Sequence, residues 1–116
     1  MTRVLICGAR DFRDTEAIKT IVNGLKEGDV VIHGMARGAD TIAGLLAEAR
    51  KLEVLEFPAQ WDKHGKAAGP IRNKQMLDEG KPDIVFAFYT NKSKSRGTKN
   101  MVKQARKAGI PVWENK

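Results

Sequence analysis

The 116-residue chain is 41% apolar and 30% charged with a formal net charge of +7, a balance that excludes disordered and fibrous proteins and leaves room for one core. Its longest apolar runs, residues 4–7 and 84–89, fall far short of the ~20 residues that span a bilayer, and the N-terminus turns polar too early for a secretory signal. No membrane partner and a cytoplasmic location are therefore expected, and the single cysteine, Cys7, excludes an internal disulfide or multi-cysteine metal site.

"RVLIC" at 3–7 has the length and apolar continuity of a buried strand stopped by Gly8. Asp14 or Thr15 can cap a helix carrying Ile18, Ile21, Val22 and Leu25 at helical spacing, with Gly28 placed to end it. The unit repeats as a strand at 29–33, a loop "GMARGAD", and a helix from Asp40 to Leu52 with Ile42, Leu45, Leu46 and Ala49 inward. A third strand at 53–58 leads into an unpatterned loop at 59–69 and a helix that Pro70 opens and Gly80 closes. "DIVFAFY" at 83–89, the most apolar strand, is expected at the sheet centre. A helix from Thr98 to Ala108, with Met101, Val102, Ala105 and Ala108 inward, precedes a last strand at 110–113.

Strands alternating with helices predict an α/β fold: a Rossmann-like three-layer α/β/α sandwich with a mostly parallel five-stranded sheet, one domain over residues 1–116. Such sheets bind ligands at the carboxyl ends of their strands, where strand order reverses. The loops at 8–14, 34–40, 59–70 and 90–98 are thus the candidate site.

Those loops lack a G-x-G-x-x-G turn, a G-x-x-x-x-G-K-[ST] phosphate loop and a G-x-S-x-G elbow, which argues against a standard dehydrogenase, nucleotide triphosphatase or hydrolase. His33 and His64 are the only histidines and read as strand-end or loop residues, so neither a metal nor another cofactor is expected. What the loops do hold is glycine beside cations at helix starts. Gly34 and Gly38 let backbone N–H groups approach a ligand, and Asp40 serves as N-cap or ligand contact. Arg10 and Arg37 stand beside them, and Arg96, Gly97 and Thr98 repeat the arrangement at the last helix. Arg72 and Asn73 fall in the first turn of their helix, where arginine opposes the dipole, and this points to phosphate binding. Trp61 reads as packing rather than stacking.

The charge is localised. Residues 91–107 contain seven basic residues, Lys92, Lys94, Arg96, Lys99, Lys103, Arg106 and Lys107, and no acidic one, while the rest of the chain is neutral. Such a cluster can attract a phosphorylated ligand or a polynucleotide, or be a solvated helix face.

The segments "CGARDF", "IHGMARGAD", "GPIRNKQM" and "SRGTKNMV", in this order, resemble the YspA-like branch of the SLOG superfamily, which groups DprA-type DNA-processing proteins with LOG nucleoside-monophosphate phosphoribohydrolases. The resemblance implies a Rossmann-like fold, a nucleotide-derived or ADP-ribose-like ligand, and a homodimer, LOG-type relatives being commonly dimeric. Gly8, Arg10, Gly34, Gly38, Asp40, Arg72, Gly97 and Thr98 are expected to line the site of such a ligand. In LOG enzymes an R-K-x-x-M helix and a P-G-G-x-G-T-x-x-E helix start assist cleavage of the N-glycosidic bond. Arg72 and Met76 match the first motif and Gly97 and Thr98 the second, but the glutamate position is Met101, whose thioether cannot polarise a hydroxyl. Binding of a nucleotide-derived ligand, as sensor or sequestering protein, is therefore the first expectation. A nucleoside 5'-monophosphate N-glycosidase, with Arg72 as its catalytic residue, is an alternative, and DprA-like binding of single-stranded nucleic acid is the weaker one.

Overall fold

The computed structural model describes residues 1–90 and 96–115. Five strands, β1 (Arg3–Gly8), β2 (Val30–His33), β3 (Glu53–Glu56), β4 (Ile84–Phe88) and β5 (Val112–Glu114), form one sheet in the order β3-β2-β1-β4-β5. Every pairing is parallel. The connecting helices are α1 (Thr15–Asn23), α2 (Ala39–Ala49), the one-turn α3 (Trp61–His64), α4 (Ala68–Gln75) and α5 (Arg96–Lys107). A 3₁₀ turn, Gly65–Ala67, joins α3 to α4, and a π-helical turn, Met76–Gly80, extends α4.

β1 is buried along Val4–Cys7 because helices cover both faces of the sheet, which removes any polar alternation. Val4 and Ile6 point to one layer, with Ile18 and Val22 of α1 and Ala39, Ala43 and Ala47 of α2. Leu5 and Cys7 point to the other, with Met76, Leu77 and the α5 residues Met101, Val102 and Ala105. The expected three-layer α/β/α sandwich is thus present, and its sheet is wholly parallel. Among the described residues no helix is long and apolar enough to cross a membrane.

Several local expectations are corrected. The strand at the sheet centre is β1; β4 lies between β1 and β5. Asp14 caps α1 by accepting from the Ala17 N–H at 3.2 Å, but the helix ends at Gly24, whose N–H reaches the Ile21 and Val22 carbonyls, and not at Gly28. The chain turns there because the Asp29 carboxylate draws in the Lys26 and Thr2 N–H groups, each at 2.8 Å. In α2 Ile42 and Leu46 pack half-buried against the core as expected, but the fully buried stripe is alanine, while Leu45 is 65% exposed and Ala49 is also outside. Small residues let this helix lie close on the sheet, where a Cβ at Gly44 would come within 2.7 Å of His33 Nε2. Ala108 lies beyond α5 and is exposed. The segment 59–69 is a run of short helices rather than an unpatterned loop.

Candidate functional site

Strand order reverses between β1 and β4, so the connections leaving these two strands pass to opposite faces and open a crevice at their carboxyl ends. The crevice is a groove of about 1210 Å³. Gly8, Arg10, Gly34, Arg37, Asp40, Arg72, Asn73, Arg96, Gly97 and Thr98 all line it, whereas Gly38 does not.

The loop between β2 and α2 folds inward on itself. Gly38 is the N-cap of α2 with φ 78° and ψ −127°, a backbone region closed to residues with a side chain, and its Cα faces the Ala9 and Arg10 carbonyls. Asp40 is the second residue of α2 rather than its cap, and its carboxylate reaches back to accept from the Gly34 N–H at 2.8 Å. Gly8 serves packing: a Cβ there would sit 2.7 Å from that of Ala39 and 2.6 Å from the Phe88 carbonyl. At Gly34 an added Cβ would collide with the Arg72 guanidinium, so three expected ligand glycines, Gly8, Gly34 and Gly38, have steric roles inside the protein.

Arg72 is the fifth residue of α4, past the first turn, because the helix begins at Ala68 and not at Pro70. The argument from an unfavourable dipole therefore fails, and the fork of donors does something else. Its Nη1 donates to the Gly34 carbonyl at 2.5 Å and approaches the Phe57 carbonyl at 3.4 Å, while Nε donates to Asn73 Oδ1 at 3.1 Å. Gly34 thus stands between two charges, its N–H on Asp40 and its carbonyl on Arg72. Asn73 is a clip: buried at 3% exposure, its amide donates to the Gly97 carbonyl and to Asn100 Oδ1, both at 3.1 Å, fixing the start of α5 against α4. Gln104 adds bonds to Asn100 and to the Pro70 carbonyl. Asn100, also on the groove wall, was not anticipated from sequence; its i, i+4 spacing to Gln104 was the available signal.

Burial dominates the electrostatics of the floor. It pushes the Asp40 carboxyl up to about 6, against the opposing pull of the Gly34 N–H and the Arg72 guanidinium. The Cys7 thiol is pushed up by burial and by Asp40, and Arg72 is pushed down mainly by burial. Burial also lowers His33, the expected strand-end histidine, whose Nδ1 accepts from the Met35 N–H at 3.0 Å. Its ring is therefore neutral with the hydrogen on Nε2, which lies 3.5 Å from Glu56 Oε2, and among the described residues that nitrogen has no hydrogen-bond partner.

Because the folded Asp40 holds a proton that the unfolded chain has lost between about pH 4 and pH 6, its contribution to stability declines as pH rises through that window. The slope is at most about 1.4 kcal/mol per pH unit. Denaturant titrations across this range are expected to show the decline in the wild type and its absence in Asp40→Asn, which keeps an acceptor for the Gly34 N–H. Equal slopes would show that Asp40 does not titrate there.

At the rim, Arg10, Arg37, Lys66 and Arg96 are exposed cations, and none forms an ion pair among the described residues. Asp11 also lines the groove, and it accepts from the Thr90 hydroxyl, tying the β1 and β4 loops together. On α5 the Lys99, Lys103 and Lys107 side chains are exposed while Arg106 pairs with Glu114 at 2.8 Å; Lys92 and Lys94 lie outside the described residues. Met101 is fully buried in the core beneath α5, so the position of the LOG glutamate presents no group to the groove. Among the described residues no group of three or more His, Cys, Asp or Glu side chains could hold a metal ion.

The chain is similar to known proteins in three respects. The model of the YspA, cpYpsA-related SLOG family matches residues 2–64. The chain is 39% identical to the Gene 61 protein of Mycobacterium phage D29 over 121 residues, covering 97% of this chain and 94% of that protein. Its fold is similar to that of DNA processing protein A (DprA) from Streptococcus pneumoniae, with a TM-score of 0.75 at 17% identity, covering 98% of this chain. The chain spans 50% of that DprA chain, so the likeness is to a part of DprA and concerns the fold. The family match over more than half of the chain and the phage relative together establish that this protein belongs to the YspA, cpYpsA-related SLOG family.

Proposed function

We propose that the protein binds a nucleotide-derived ligand, a nucleotide or an ADP-ribose-like molecule, in the switch-point groove and holds it without cutting it. One observation carries the reading: the start of α5 and the loop leading into α2 meet the groove beside four rim cations that have no ion-pair partner among the described residues. Helix N-termini and arginine forks both favour phosphate. Gly97 supports it further. A Cβ there would meet nothing within 4 Å, so no contact inside the described protein requires glycine, and the open space it leaves faces the groove.

Chemistry at the glycosidic bond is less well provided for. Met101 is buried, Asp40 is occupied by the Gly34 N–H, and the Arg72 fork is largely spent on backbone carbonyls. Binding as a sensor or by sequestration fits these facts better than hydrolysis.

Calorimetric titration with nucleoside monophosphates and ADP-ribose is expected to give one-to-one binding for at least one of them. Arg96→Ala is expected to weaken it about tenfold, the scale of one charge-assisted hydrogen bond. Silence across the panel at millimolar ligand would refute the reading, and free base appearing by chromatography would replace it with the N-glycosidase.

A further inference from the structure

We propose that Trp61, aided by Met35, is a stacking platform for a flat aromatic ring, so that the groove takes nucleotides in preference to sugar phosphates. The inference rests on the groove-binding reading above and names the ligand class of that site.

Two large apolar side chains stand half in water at the groove. Trp61 is 50% exposed and Met35 51% exposed, and both line the groove. A side chain like tryptophan gains about 1.5–3 kcal/mol when fully buried, and this protein leaves half of that surface in water. Packing, the reading that the sequence favoured for Trp61, does not account for it. The indole lies over Gly69, where even an added Cβ would stay at an ordinary contact distance of 3.5 Å. Met35 is held in place at a cost. It is a non-glycine residue with φ 59°, a left-handed conformation that disfavours a side chain, pinned by its N–H bond to His33.

Sheet order gives these residues a common end. Met35 follows β2 and Trp61 follows β3, so both stand over the β2–β3 side of the crevice; Arg96 and Gly97 begin the helix that follows β4, on the other side of the switch point. The β2–β3 side of the groove therefore presents two half-exposed apolar side chains with the cations Arg37 and Lys66 beside them, and the far side presents Arg96 and the start of α5. A nucleotide joins a flat ring to a phosphate, and the groove offers both an apolar surface and cations. Every nucleobase has a π-face, so such a platform selects for an aromatic ring without selecting which one.

The test compares AMP, GMP and ribose 5-phosphate by calorimetry on the wild type, Trp61→Phe and Trp61→Ala, with circular dichroism confirming that each variant is folded. Expected are tighter binding of AMP and GMP than of ribose 5-phosphate in the wild type and retention of most of that preference in Trp61→Phe. In Trp61→Ala the mononucleotides should weaken by about 5- to 100-fold, the range measured for single stacking contacts, with ribose 5-phosphate unchanged. In a Trp113→Phe background the remaining tryptophan fluorescence should be quenched by AMP but not by ribose 5-phosphate. If the wild type binds the mononucleotides and Trp61→Ala binds them equally well, or loses all three ligands alike, the platform is overturned while groove binding stands. If the wild type binds none of the three, both readings fall.

Discussion

Arg72→Ala is expected to cost about 3–4 kcal/mol of folding stability, comparable to removing one partner from a buried charge network, and to abolish ligand binding. The guanidinium connects three elements at once: the end of β2 through the Gly34 carbonyl, the end of β3 through the Phe57 carbonyl, and α4 through Asn73. Its loss leaves the Gly34 carbonyl without its donor and removes the cation that helps keep Asp40 ionised, so Asp40 should take up a proton at higher pH than before. Asn73 also loses a constraint, and with it the fixed start of α5. Arg72→Lys should recover only part of the stability, because a single ammonium cannot reach carbonyls on two strands and an amide together. Denaturant unfolding of the three proteins tests this. If Arg72→Ala kept wild-type stability and lost only ligand affinity, Arg72 would be a ligand residue alone, and the architectural role argued above would be wrong.

Gly38→Ala should be more damaging still, at about 4 kcal/mol or more. Two penalties add. The backbone sits at φ 78° and ψ −127°, which an alanine adopts only under strain, and the new Cβ would lie 2.8 Å from the Arg10 carbonyl oxygen and closer yet to that of Ala9. Neither obstacle is the tip of a flexible side chain; both belong to the backbone of the β1–α1 connection, which Asp11 and Thr90 hold across the switch point. Relief would require α2 to lift from the sheet, opening a gap beneath its buried alanines. Gly97→Ala is the contrast: its Cβ meets only open space, so stability should be nearly unchanged while ligand affinity falls. Thermal melts of the two variants side by side separate a glycine kept for the fold from one kept for the ligand; equal melting temperatures would defeat the distinction.

The difference between those two glycines shows where sequence reading stops. "GMARGAD" and "SRGT" look alike as glycine turns beside cations, and both were assigned to ligand binding on that basis. The structure places Gly38 under the carbonyls of a segment some thirty residues earlier in the chain, and leaves Gly97 facing the groove. Arg72 changed meaning in the same way. A local argument about helix dipoles placed it in a first turn, but the helix starts two residues earlier, and the partners that explain the arginine come from β2 and β3. Leu45 misled for a related reason: helical spacing identifies an apolar stripe, but the sheet accepted the smaller one, Ala39, Ala43 and Ala47.

The alternation of strands and helices, the loops that follow the strands and the missing carboxylate at Met101 follow from sequence alone, because each depends on short-range periodicity or on the identity of one side chain. Strand order, the sharing of the Gly34 peptide between Asp40 and Arg72, and the half-exposed Trp61 in the groove were decided only by the tertiary structure. Each depends on which distant segments come to lie within a few ångströms of one another, and no local pattern encodes that distance.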